Sequence, residues 1–251
     1  MALFKSGNPA LGERAFAGLR PVADTDDLMT LQGTVNRVAL LLIVVFAGAT
    51  LTWWLFNTTH KFTTVSLFFY GGLIGALAVG LLITFKKNLA PYLSAVYAAL
   101  EGLALGGLSA LMDSAYPGIA FQALVLTFGI LSVLLAAYTT RLIRVTENFK
   151  LVIVSATGGI AVFYLISLVL SFFGVRAPLI HDNSLLGIGF TLVVVVIAAL
   201  NLVVDFDFIE QAVESGAPKY MEWYGAFGIL VTLVWLYVEL LRLLAKLRSR
   251  D

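Results

Sequence analysis

The chain has 251 residues, of which 60% are hydrophobic and 12% charged, and its mean hydropathy is +0.96. A soluble domain carries about 25% charged residues, so this much apolar surface needs lipid as its solvent. The net charge of +1 offers no basic face to nucleic acid, and the absence of cysteine excludes disulfides, thiol catalysis and zinc–thiolate sites.

Residues 1–36 are polar, mixed in charge and without the early apolar core of a signal peptide. They are expected to form a cytoplasmic N-terminal tail, with Asp24, Asp26 and Asp27 as a solvated cluster or helix start. Apolar runs near the ~20 residues that cross a bilayer follow, at 37–57, 64–85, 90–112, 118–139, 151–174, 184–205 and 221–244. Polar and turn residues separate them at 57–61, 86–88, 113–117, 141–150, 176–183 and 205–222. The alternation of a β-barrel strand is absent. The expected fold is therefore an all-α integral membrane protein: a seven-transmembrane-helix bundle over 37–245, with a basic C-terminal tail at 246–251.

Basic residues concentrate in one set of loops: Lys5, Arg14, Arg20, Arg37, Lys86, Lys87, Arg141, Arg144, Lys150 and Lys219. Lys61, Arg176 and the tail residues Arg242, Lys246, Arg248 and Arg250 fall to the other side. The loops favour an N-terminus inside, while the basic tail argues the other way: either an odd span count puts a basic tail outside or the last segment does not fully cross, and seven spans is the preferred reading. Trp53–Trp54 and Trp223–Tyr224 near span ends suit the interfacial belt. Gly71 with Gly75, and Gly102 with Gly106, stand four apart as in close-packed helix pairs. The two histidines, His60 and His181, lie in polar breaks and give no metal or Ser–His chemistry inside the membrane.

An acid within an apolar span costs ~2.5–3.5 kcal/mol at the helix centre and so needs a partner or a cavity. Three places break the pattern. Asn201 to Glu210 holds Asp205 at the end of the sixth apolar run, with Asp207 and Glu210 three apart on one face. Solvation at a helix end is the plain reading for Asp207 and Glu210; the apolar residues before Asp205 favour a buried role for it. Glu239 lies late in span seven, with Arg242 three residues on as a candidate ion-pair partner. Glu101 is mid-span in span three with no basic residue within a turn, and serves either a buried structural hydrogen bond or an ion or proton site. Two carboxylates that meet in a low-dielectric bundle cannot easily both ionise; they share a proton or recruit a hard cation such as calcium.

The segment Tyr97-Ala-Ala-Leu-Glu101-Gly, the run Asp205-Phe-Asp-Phe-Ile209 and the segment Trp235-Leu-Tyr-Val-Glu239 with its leucine-rich basic tail resemble the Bax inhibitor-1 family. That family is also called the transmembrane Bax-inhibitor-motif family. Ala217 to Tyr224 and Ser6 to Leu11 resemble its bacterial branch. The resemblance covers about residues 30–245. It implies a last helix surrounded by the other six and a bacterial plasma-membrane location. It also implies a pH-sensitive calcium leak gated by two acidic residues, to which Asp205 and Glu239 correspond. These two are then also the candidate metal ligands, with Glu239 standing where the family more usually has Asp. The stretch between them is longer than in the better-known members, and span two carries no internal arginine. With a turn at Gly216, Asp205 lies 11 residues before it and Glu239 23 after it. That is a depth offset of ~18 Å at ~1.5 Å per residue, which contact could bridge only through a broken helix or a cap formed by 206–222. Otherwise Glu101 or Glu222 is better placed beside Asp205.

Three functional classes follow. The first is a passive leak for cations, calcium first among them, with no resident cofactor and calcium as the bound or transported ion. The second is a membrane-embedded regulator of other membrane proteins, such as stress regulators or proteases. The third is a proton-coupled transporter of small solutes, against which the lack of an inverted repeat weighs. No nucleophile–base pair suggests an enzyme, no catalytic residue is assigned, and Lys246 lies too near the chain end for a retinal site.

Overall fold

The computed structural model describes residues 28–59, 61–174 and 184–249. Lys5, Arg14, Arg20, the acidic cluster at Asp24, Asp26 and Asp27, the segment from Ser6 to Leu11, His60, Arg176, His181 and Arg250 lie outside the described residues.

Seven helices long and apolar enough to cross a membrane make up the described residues. They are α1 (Leu31–Thr59), α2 (Phe62–Phe85), α3 (Ala90–Ala115), α4 (Ile119–Thr139), α5 (Glu147–Phe172), α6 (Leu185–Glu214) and α7 (Met221–Arg248). A bilayer core leaves no water to satisfy backbone groups, so each span closes its own hydrogen bonds as a helix. The ends carry local signals. Thr146 accepts a hydrogen bond from the Phe149 amide at 3.2 Å and Ser184 accepts one from the Gly187 amide at 3.2 Å, as N-cap hydroxyls do. Gly216, at φ 70°, turns the chain between α6 and α7 in a conformation that glycine adopts without a Cβ penalty.

α7 is the central helix. It packs against α1, α3, α4 and α6, while α2 lies on α3 and α5 lies on α6. Burial follows: α3, α6 and α7 are half or more buried, whereas α1, α2, α4 and α5 expose most of their side chains to the surroundings. The core is built from large side chains of α7, including Tyr224, Phe227, Leu230 and Leu236, with Leu41 of α1 and Leu202 of α6.

Two boundaries differ from expectation. α1 begins at Leu31, six residues before the apolar run expected at 37. α6 continues unbroken to Glu214, so residues 206–214 are helix rather than cap, and only 215–220 form the turn.

Glycine explains how α1, α2 and α3 come so close. A Cβ on Gly102 would stand 2.4 Å from the Val45 carbonyl oxygen, and one on Gly106 would stand 2.3 Å from that of Ala49. On α2, Gly72 approaches the Leu100 carbonyl in the same way, at 2.6 Å, while Gly71 meets open space. The α3 pair thus packs as its spacing suggests, but on α2 the backbone contact belongs to Gly72.

The start of α1 and the end of α7 occupy opposite ends of the bundle. The Met29 amide donates to Ala217 O at 2.7 Å, tying the entry to α1 onto the α6–α7 turn. At the far end, Arg248 Nη1 donates to Pro117 O at 2.7 Å, and Lys246 Nζ donates to Gly187 O and Thr191 Oγ1, each at 3.0 Å. α7 therefore runs from one end of the bundle to the other.

Candidate functional site: carboxylates in the bundle

Asp205 is wholly buried, nine residues before the end of α6. Thr232 of α7 donates its hydroxyl to Asp205 Oδ2 at 2.6 Å. One turn earlier on α6, Asn201 is buried too and donates Nδ2 to Thr157 Oγ1 at 2.7 Å and to Ile197 O at 2.9 Å. Its Oδ1 is buried without a hydrogen-bond partner. A buried carboxylate and a buried unused acceptor on consecutive turns make this level of the bundle polar in an otherwise apolar interior.

Glu239 belongs to another level. It lies seven residues beyond Thr232 on α7, two turns or ~10 Å along the axis. Its side chain, 1% exposed, takes Arg242 Nη1 at 2.8 Å and 2.9 Å on its two oxygens and the Tyr164 hydroxyl at 2.9 Å. Arg242 also donates to Tyr164 Oη at 2.8 Å and lies over the Tyr164 ring. Asp205 and Glu239 thus take different hydrogen-bond partners at different depths. The contact of Asp205 falls 16 residues after Gly216, between the 11 that equal depth would give and the 23 of Glu239. Both helices stay continuous, so no broken helix closes the gap. Thr232 and Glu239, seven apart, do share one face of α7, which sets both acids along a single stripe.

The secondary candidates sit elsewhere. Glu101 is half-buried on α3 and shares a hydrogen bond with Tyr97, whose ring meets Phe227 of α7 edge-on at 4.9 Å. Asp207 pairs with Lys150 of α5 at 2.8 Å, and Lys150, only 3% exposed, also reaches Glu147 at 3.2 Å. Glu210 pairs with Arg141 at 2.7 Å and accepts a hydrogen bond from Tyr138. These two acids, read from sequence as a solvated helix end, are instead cross-links from α6 to α4 and α5. Glu222 does not approach Asp205. It is 1% exposed at the start of α7 and accepts from the Thr30 amide at 3.0 Å and the Thr30 hydroxyl at 2.9 Å, with Arg37 Nε at 3.0 Å from its other oxygen. Gly33 leaves it room: a Cβ there would fall 2.0 Å from Glu222 Oε1.

Among the described residues no group of three or more His, Cys, Asp or Glu side chains is arranged to hold a metal ion. Asp205 and Glu239 are therefore not part of a ready-made cage of acidic side chains, whereas calcium takes six to eight oxygen ligands. Sequence reasoning missed Thr232, Tyr164, Tyr138 and Thr30. Thr232 had a signal, as a lone hydroxyl in the run Ile229 to Val234. The tyrosines had none, since aromatic residues are ordinary in such spans.

Comparison with curated proteins and with solved structures gave no match. The family described as Bax inhibitor 1 like matches residues 5–249, nearly the whole chain. The chain belongs to the Bax inhibitor 1-like family of integral membrane proteins.

Proposed function

We propose that the protein is a non-enzymatic, pH-sensitive leak for cations, calcium first among them, in which the protonation state of Asp205 governs passage. The observation that carries this reading is the complete burial of Asp205 inside the bundle, within reach of the central helix through the Thr232 hydroxyl. An ionised carboxylate there is expensive to desolvate. It favours either a proton or a passing cation, and a change between the two alters the local charge by one unit. Glu239 would act in series with it, on the same stripe of α7 but two turns away. Its charge is balanced by Arg242 at rest, so a cation reaching it would have to compete with a guanidinium. No resident cofactor is required by this reading.

The location we propose is a bacterial plasma membrane with the N-terminus in the cytoplasm. It is supported by the basic residues Arg37, Lys86, Lys87, Arg141, Arg144, Lys150 and Lys219, which cluster at the end of the bundle where α1 begins.

Calcium flux into proteoliposomes of the purified protein, followed across a pH series, tests the reading. Flux in the unmodified protein should change with pH, and Asp205→Asn should flatten that profile. Equal flux from both proteins at every pH removes Asp205 from gating, and absence of flux altogether removes the leak.

A further inference from the structure

A cavity of about 320 Å³ lies between α1, α3, α4 and α7, in the half of the bundle away from the N-terminus. Its walls are almost entirely hydrocarbon and include no charged side chain. Three of its hydroxyls are engaged: Ser109 and Tyr237 bond each other at 2.6 Å, and Thr127 donates to Ala123 O at 2.7 Å, leaving Thr50 as the remaining hydroxyl of the lining. It meets the size and predominantly apolar character of a ligand site.

The helix packing says where it opens. α1 packs along α3, and α4 packs on α7, but α1 and α4 make no extended contact with each other. They are bridged by the stacked rings of Phe46 and Phe128, 5.9 Å apart. Between them the surface is apolar and outward-facing, with Phe121 70% and Trp54 58% exposed. In a spanning bundle that surface meets acyl chains. The cavity is therefore continuous with the hydrocarbon of one leaflet.

We propose that this cavity is a lipid site holding one acyl chain of a membrane phospholipid, which enters between α1 and α4. An apolar void leaves its lining atoms without dispersion partners on one side, and a cavity of about 150 Å³ lined by Leu, Ile and Phe already binds benzene while staying dry. Here the void is larger and borders a hydrocarbon phase in which chains are present at bulk concentration. Packing, rather than removal from water, drives such association in lipid, so occupancy depends on shape. Ala49 of α1 and Ala120 of α4 supply that shape, since both line the cavity with a small side chain.

Trp53 lines the cavity and reports on it directly. The chain has four tryptophans, so variants with phenylalanine at three of them leave Trp53 or Trp54 alone. Each is reconstituted in phosphatidylcholine vesicles in which half the lipid carries bromine on its acyl chain. Trp53 should be quenched at least as strongly as Trp54. Filling the cavity with Ala49→Phe, or independently with Ala120→Phe, should cut Trp53 quenching at least twofold and leave Trp54 unchanged; helical circular dichroism identifies whichever variant folds. Shielding of Trp53 from bromine in the unfilled cavity would overturn the proposal, as would quenching that neither substitution alters. The result is independent of ion flux.

Discussion

The side chains of Glu239, Arg242 and Tyr164 form a closed triangle in which each member contacts the other two. Removing one partner of a buried ion pair strands a charge and costs ~3–5 kcal/mol, whereas removing both partners is often close to neutral. Arg242→Leu is therefore expected to lower the melting temperature in detergent steeply. Glu239→Gln combined with Arg242→Leu should recover most of the loss. If the double variant is no more stable than Arg242→Leu, the triangle is not what holds Glu239. Thr232 donates one of the hydrogen bonds to Asp205, and Thr232→Val removes it, at a cost of ~1–3 kcal/mol for the acceptor left without it. It should move the pH midpoint of flux while preserving its pH dependence; an unmoved midpoint would show that Thr232 does not tune Asp205.

Among the helices, α3 is the one whose surface is cut for its neighbours. Gly102 and Gly106 admit the backbone of α1, and the Cβ distances of 2.4 Å and 2.3 Å lie against carbonyl oxygens that cannot swing aside. Gly106→Ala should cost ~1–3 kcal/mol by overpacking. Gly71→Ala, which meets open space, should be neutral or gain ~0.5–1 kcal/mol from the lost glycine entropy. Thermal unfolding of both variants in one detergent checks the contrast, and equal effects would refute close packing as the role of Gly106. These elements also show what a linear reading can reach. The spans were legible because length and hydropathy alone decide them. The last turns of α6 were not, because Asp207 and Glu210 look like a solvated helix end when their partners are unseen. Lys150 of α5 and Arg141 in the turn after α4 pair with them there. The pairing of Glu222 with Arg37 was equally hidden, since the two residues are far apart in the chain and nothing local in either segment points to the other. The offset between Asp205 and Glu239 could be counted in advance, but the residue that faces Asp205 could not.

For the bundle as a whole, seven crossings among the described residues put the start of α1 and the end of α7 on opposite faces. The absence of native cysteine makes this directly measurable. Lys219→Cys and Ser249→Cys, each as the sole thiol, should react with a membrane-impermeant maleimide from opposite sides of sealed vesicles. Labelling of both from one side would mean that α7 does not traverse the bilayer.

Glu222 holds the entry to the first helix from a position 192 residues further along the chain. Chains are made N-terminus first, so while α1 to α6 are being inserted the backbone amide and hydroxyl of Thr30 lack this acceptor and Arg37 lacks this anion. The central helix, the last to be synthesised, supplies both at once. An unfinished chain therefore keeps its first helix unfastened and its middle open.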